Sequence, residues 1–160
     1  MKIKLSTKQY LMVSANRLEE STLLANNGHF SFAIYTLGVA VESVLGALIV
    51  CNNPTYIFTS AHNIQQLLLV SELYKSENDD IQKKLVSAAN TLTKWWDNLL
   101  RYQLDEVIAN HYHSVLSENE RKIYKNCNYL ILETVYKKLE IKAKYICQRG
   151  EILCQKRKII

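Results

Sequence analysis

The sequence predicts an all-α fold, an up-and-down bundle of about five helices in one domain over residues 1–160. Apolar residues recur three and four apart along most of the chain, the spacing that lines one side of an α-helix. Only 4 Gly and 1 Pro are present, too few turn formers for the many tight connections of an all-β fold. A composition of 48% apolar and 22% charged residues excludes collagen-like, low-complexity and wholly disordered chains. At this length a domain buries roughly 70% of its unfolded surface, so a core can form without metal or disulfide staples.

The first helix is expected to start after Ser6 or Thr7 and to run to about Asn26. Leu11, Ala15, Leu18 and Thr22 form its stripe, and Asn26-Asn27-Gly28 supplies the stop, since Asn and Gly tolerate the left-handed backbone that ends helices. The second runs from about Phe30 to Cys51, nearly continuous apolar sequence. It approaches the length of a bilayer span. Glu42 near its middle argues against lipid, where a charge costs several kcal/mol, so it reads as the central core helix with no membrane partner. Its small residues Gly38, Ala40, Ser43, Gly46 and Ala47 allow neighbours to approach closely.

Asn52-Asn53-Pro54-Thr55 makes a loop, and His62 to Val70 a short apolar helix. The next helix opens at Asn78 or Asp79, with Asp79 and Asp80 at its positive end. Ile81, Leu85, Ala88, Leu92 and Trp95/Trp96 carry its apolar side; it is expected to continue to about Arg101, with loop or irregular turn before Ser117. Ser117 and Glu120 form a capping box, from which one long basic helix is expected over about 118–158. Leu132, Val135, Leu139, Ile146 and Leu153 draw its heptad-like seam, broken by Lys142 and Arg149.

Charge is unevenly spread. Residues 121–160 hold 11 basic and 3 acidic residues, against 9 and 12 in residues 1–120. A basic segment attracts polyanions, nucleic acid above all. Tyr124, Tyr129, Tyr136 and Tyr145 interleave with these cations; packing is their expected use, and stacking on single-stranded RNA the alternative. The four cysteines (Cys51, Cys127, Cys147, Cys154) make no CxxC pair and no signal peptide is evident, which points to a reducing, cytoplasmic setting.

Glu42 is the sharpest single feature, because a carboxylate buried among apolar residues needs a counter-group. Arg101 and His62 are the expected partners. Arg101-Tyr102 fastens the end of the fourth helix or holds a phosphate, which guanidinium matches bidentately. Glu42, His62, Arg101 and Tyr102 are thus the candidate ligand-binding residues. Asn110-His111-Tyr112-His113 places two imidazoles at alternate positions, on one side if the segment is extended. No carboxylate or cysteine stands at a recognised ligand spacing, so no metal is expected. A Gly-rich phosphate loop, GxSxG and HExxH are all missing from the sequence, and no cofactor is expected.

Three segments together resemble a family. His29 to Leu48, with Phe32-Ala33, Gly38, Ala40 and Glu42 in register, looks like the second helix of HEPN domains. Ser60-Ala61-His62-Asn63-Ile64-Gln65-Gln66-Leu67-Leu68 is similar to that family's His-Asp-Leu box. Trp96 with Asn98-Leu99-Leu100-Arg101-Tyr102 resembles the Arg-Tyr after its fourth helix. Order and spacing agree over about Thr7 to Tyr102.

The resemblance implies a small helical bundle that forms a homodimer and binds RNA, a nucleotide or a protein partner, with a nucleotidyltransferase as one such partner in defence or toxin–antitoxin settings. Ribonuclease members carry an Arg-x4-6-His motif, a cation for the phosphorane charge and an imidazole to move a proton near neutral pH. Here Arg101 is followed by His111 and His113 with 9 and 11 residues between, longer than the motif. The expected function is therefore noncatalytic binding. A divergent ribonuclease using Arg101 with His111 or His113 is the alternative, and a pure dimerisation scaffold the third reading.

Overall fold

The computed structural model describes residues 5–56, 63–114, 116–125 and 127–157. Among them are seven α-helices and two 3-10 turns, with no strand, so the all-α class holds. α1 is Thr7–Asn26 and α2 Phe30–Asn52; α3 is Ile64–Ser71, followed by a 3-10 turn at Tyr74–Ser76. α4 is Asp79–Trp95, a second 3-10 turn covers Asn98–Tyr102, and α5 is Asp105–His113. α6 is Glu118–Tyr124 and α7 is Asn128–Lys156.

Local chemistry sets most of these starts. Ser6 caps α1 in a reciprocal box: its hydroxyl accepts from the Gln9 amide at 3.3 Å, and the Gln9 side chain accepts from the Ser6 amide at 2.8 Å. Asn78 caps α4 by accepting from the Ile81 amide at 3.1 Å, with Asp79 and Asp80 in the first turn. Asn63 caps α3, which begins at Ile64; the expected start at His62 lies outside the described residues.

Three stretches differ from the sequence reading. The fourth helix stops at Trp95 rather than Arg101, because Trp96 leaves the helix in extended backbone (φ −111°, ψ 131°) and Asp97 caps the turn that follows. The stretch before Ser117 contains α5, whose buried Ile108, Ala109 and Tyr112 recur at helical spacing. The single helix expected over 118–158 is two. α6 ends at Lys125, whose φ of +46° is a backbone that L-residues adopt reluctantly. Glu120 of α6 then pairs with Lys138 of α7, folding the short helix back on the long one. Seven α-helices thus stand where about five are expected.

α2 lies at the centre, in contact with α1, α3, α7 and the second 3-10 turn, while α4 and α5 pack on α7. It is the one described helix long and apolar enough to cross a membrane, but most of its surface is buried inside the bundle. α1 docks on it through two small polar side chains: Ser14 donates to the Ala40 carbonyl at 2.9 Å and Ser21 to the Ala33 carbonyl at 2.8 Å. α7 comes close on another side because Gly150 has no side chain; a Cβ there would stand 2.6 Å from a Val44 methyl. The α7 seam residues Leu132, Val135, Leu139, Ile146 and Leu153 are all buried. Arg149, one of the seam's two breaks, turns aside to meet Glu77 at 2.6 Å before α4.

Glu120 ties α6 to α7, and its carboxyl is lowered from 4.5 to about 2 by hydrogen bonds from Lys138 and Ser117. Its contribution is complete above the unfolded value and is lost as pH falls from 4.5 toward 2. Glu120→Gln is therefore expected to cost about 1 kcal/mol at pH 7 and to flatten the acid limb of the stability curve. Denaturant melts of both proteins at pH 7 and pH 3 check this: equal losses at the two pH values would show that the carboxylate is not the source.

Candidate functional site

The site grows from a gap in α2. At Gly38 the indole of Trp96 lies directly on the helix backbone, and a methyl group there would overlap the ring. The indole N–H donates to the Tyr35 carbonyl at 3.0 Å, and the Tyr35 and Trp96 rings stack at 6.5 Å. Trp96 is thereby buried. The chain after it is held in a fixed register along the start of α2.

Asp97 then accepts from the Leu99 amide at 2.7 Å and starts the 3-10 turn that ends in Arg101-Tyr102. The Arg101 guanidinium sits 5.8 Å from the Tyr35 ring centre and 4.6 Å from that of Tyr102, and Nη1 donates to the Tyr35 hydroxyl at 3.3 Å. That hydrogen bond raises the guanidinium pKa further above its ordinary value. Arg101 is exposed and makes no ion pair among the described residues. Its remaining N–H groups are open to an incoming anion. Tyr102, whose ring meets the guanidinium, is 72% exposed.

The segments adjoining the turn in sequence, and the start of α2, also carry exposed apolar side chains: Phe32, Leu99, Leu104 and Val107. Ser31 donates to the Asp105 carboxylate, which seats the start of α5 against the start of α2.

The other candidates are distributed differently. Glu42 lies on α2 two turns beyond Tyr35 and is half-buried, not sequestered. Of its two expected partners, Arg101 makes no ion pair with it among the described residues and turns to Tyr35 and Tyr102. His62, the other expected partner, falls outside the described residues. His111 and His113 are helical, not extended, so two positions turn them about 200° apart around α5. Between them Tyr112 is fully buried; it donates to the Trp95 carbonyl at 2.6 Å and stacks on Trp95 at 5.7 Å. Among the described residues no group of His, Cys, Asp and Glu could hold a metal ion. His111 lines a cleft of about 290 Å³ with Trp95, Trp96, Asp97, Leu100 and Gln103. No hydrogen bond joins Arg101 to either histidine among the described residues.

Part of the basic surplus of the last segment is paired. Lys122, Lys137 and Lys144 pair with Glu118, Glu133 and Glu140 one turn earlier, and Lys138 with Glu120. Its tyrosines are mostly packing: Tyr129 meets Phe30 edge-on at 5.0 Å, and Tyr136 is buried against the same ring. Cys147 and Cys154 are buried, which pushes their thiols up to about 12 and about 11 and keeps them protonated at neutral pH.

Tyr35 and Tyr112 are the residues that sequence reasoning missed. Tyr35 stands in an unbroken apolar run, and only the docking of Trp96 gives it a role. For Tyr112 the available signal was the Ile108, Ala109, Tyr112 spacing.

No family model, curated protein or solved structure matches this chain. The site therefore stands on its own geometry.

Gly38→Ala tests that geometry. The added methyl must displace the indole, so a loss of about 1–3 kcal/mol is expected, with a red shift in tryptophan emission. In a Gly38→Ala/Trp96→Leu double variant the two losses should fall well short of additive. Additive losses would show that the two side chains do not meet.

Proposed function

We propose that this chain is a noncatalytic HEPN-like module that binds single-stranded RNA at Arg101. The observation carrying this reading is a solvent-facing guanidinium held between Tyr35 and Tyr102 without a carboxylate partner among the described residues. Guanidinium grips phosphate bidentately, and an exposed tyrosine ring supplies the stacking face that unpaired bases use. Both lie on one short turn, so a phosphate and the base beside it can be engaged together.

The reading draws its family from the three-part sequence resemblance, and its choice of RNA from this pairing of cation with ring. The paired lysines of α7 contribute less, because their charge is already met by glutamates. Exposed Phe32, Leu99, Leu104 and Val107 would supply apolar area to the homodimer that the resemblance implies.

Fluorescence anisotropy with labelled single-stranded RNA checks the reading. Tyr102→Ala is expected to weaken binding about tenfold, the size of one lost base stack. Arg101→Ala should weaken binding and lower the slope of log K against log salt by about one. Lys83→Ala, on the far part of α4, should do neither. Binding untouched by both site variants would sink the proposal. RNA that shortens during incubation, with cleavage lost in both Arg101→Ala and His111→Ala, would replace it with the ribonuclease reading.

A further inference from the structure

The Arg101 site uses no cysteine, yet the fold brings two of them together at the far end of α2. α2 and α7 run parallel: Phe30 meets Tyr129 and Tyr136, Val44 lies against Gly150, and Asn52 accepts from Arg157. α1 runs antiparallel to α7, since Ser14 approaches Cys147 at 3.6 Å and Ser21 lies by Tyr136.

These registers place Cys51 and Cys154 side by side. Cys154 follows Cys147 by seven residues, two helical turns, so it keeps the same face and moves toward the start of α1. Cys51 sits there too: with Val50 and Pro54 it lines an open cavity of about 510 Å³ against Ser6, Thr7 and Gln9. Along α2 and α7 the match repeats, for Cys51 precedes Asn52 and Cys154 stands one turn before its partner Arg157. Burial first, and then the charge of Cys51, push the Cys154 thiol up to about 11, as a nearby sulfur would.

The other two cysteines are out of reach. Cys147 is about 10 Å from Cys154 along their shared helix, too far for a disulfide, and Cys127 caps the opposite end of α7. The two neighbours are unequal. Cys51 is half-buried beside the open cavity, whereas Cys154 is fully buried.

We propose that Cys51 and Cys154 are a thiol–disulfide exchange site that takes a small-molecule disulfide such as oxidised glutathione and closes to a reversible internal disulfide. The Cys51 thiolate attacks one sulfur of that molecule, which releases one glutathione thiolate and leaves a mixed disulfide. The Cys154 thiolate then attacks the Cys51 sulfur. The second glutathione leaves as a thiolate and takes up the proton that Cys154 gave up, so two protein thiols are oxidised and one small disulfide is reduced to two thiols. In the mixed disulfide the Cys51 sulfur carries no charge, so its upward push on Cys154 is gone at the step that needs the thiolate. Glu151 still pushes up and Arg157 draws down. The link joins residues 103 positions apart and clamps the end of α2 to α7.

Incubation of the folded full chain in glutathione buffers of graded redox ratio, followed by alkylation and peptide mass spectrometry, tests this. Cys51 and Cys154 should lose two hydrogens together and appear in one linked peptide pair, while exposed Cys127 should carry glutathione and go no further. Cys154→Ala should stop Cys51 at the glutathione adduct, and Cys147→Ala should leave the link intact. Where Cys154→Ala does not fold, Cys51→Ser at the half-buried partner should abolish the link and leave Cys154 unmodified. The linked protein should need more urea to unfold than the same protein after addition of reductant. The proposal is overturned by free Cys51 and Cys154 under conditions that fully modify Cys127, by a link that joins any other pair or forms only in urea, or by no gain in urea resistance.

Discussion

A missing side chain organises the functional face of this molecule. Because position 38 is glycine, the indole of Trp96 lies on the backbone of α2 and its N–H reaches the Tyr35 carbonyl. A buried indole is worth about 3–5 kcal/mol against truncation, more than any exposed contact on this surface can supply. The connection from α4 to α5 is fixed by that one docking event. Asp97 then starts the 3-10 turn, Arg101 is delivered to Tyr35, and α5 begins against Ser31. These later contacts are single polar pairs, each weaker than the burial of the indole.

The charge distribution acquires a different meaning once the fold is known. By composition the C-terminal segment is the basic part of the chain and the natural place to seek a polyanion site. In three dimensions Lys137, Lys138 and Lys144 answer glutamates a turn away or on α6, and Arg149 reaches Glu77, so part of that charge is spent. Arg101, in a stretch of lower positive charge, has aromatic neighbours and no acid among its contacts. Recognition of an anion depends on donors that are accessible and unspent, and a sequence count records neither.

Legibility in the sequence follows the range of the interaction. The starts of α1, α4 and α6 were readable because Ser6, Asn78 and Ser117 cap within three residues of themselves. The buried seam of α7 was readable because helical periodicity reports one face. The stop at Trp95 was not, since it depends on Trp96 docking on Gly38, 58 positions before it. The break at Lys125 escaped too, as it rests on Glu120 meeting Lys138 across the turn. At the site, the sequence marks Arg101-Tyr102 as a fastener of the fourth helix or a holder of phosphate, and gives Glu42 either Arg101 or His62 as its counter-group; in the structure the guanidinium meets tyrosines. Cation–π contacts carry no spacing signature in a chain, so Tyr35 stayed hidden in an apolar run.

α2 receives its neighbours on two sides by different means. Toward the second 3-10 turn it receives a large aromatic ring and a buried donor, an arrangement that holds one geometry. Toward α1 it receives two serine hydroxyls, with Met12 and Leu23 of that helix left exposed. Those hydroxyls sit within a broad apolar seat, since Tyr10, Leu11, Leu18, Leu24 and Ala25 of α1 pack against the core, so they set the register of a docking that apolar burial holds.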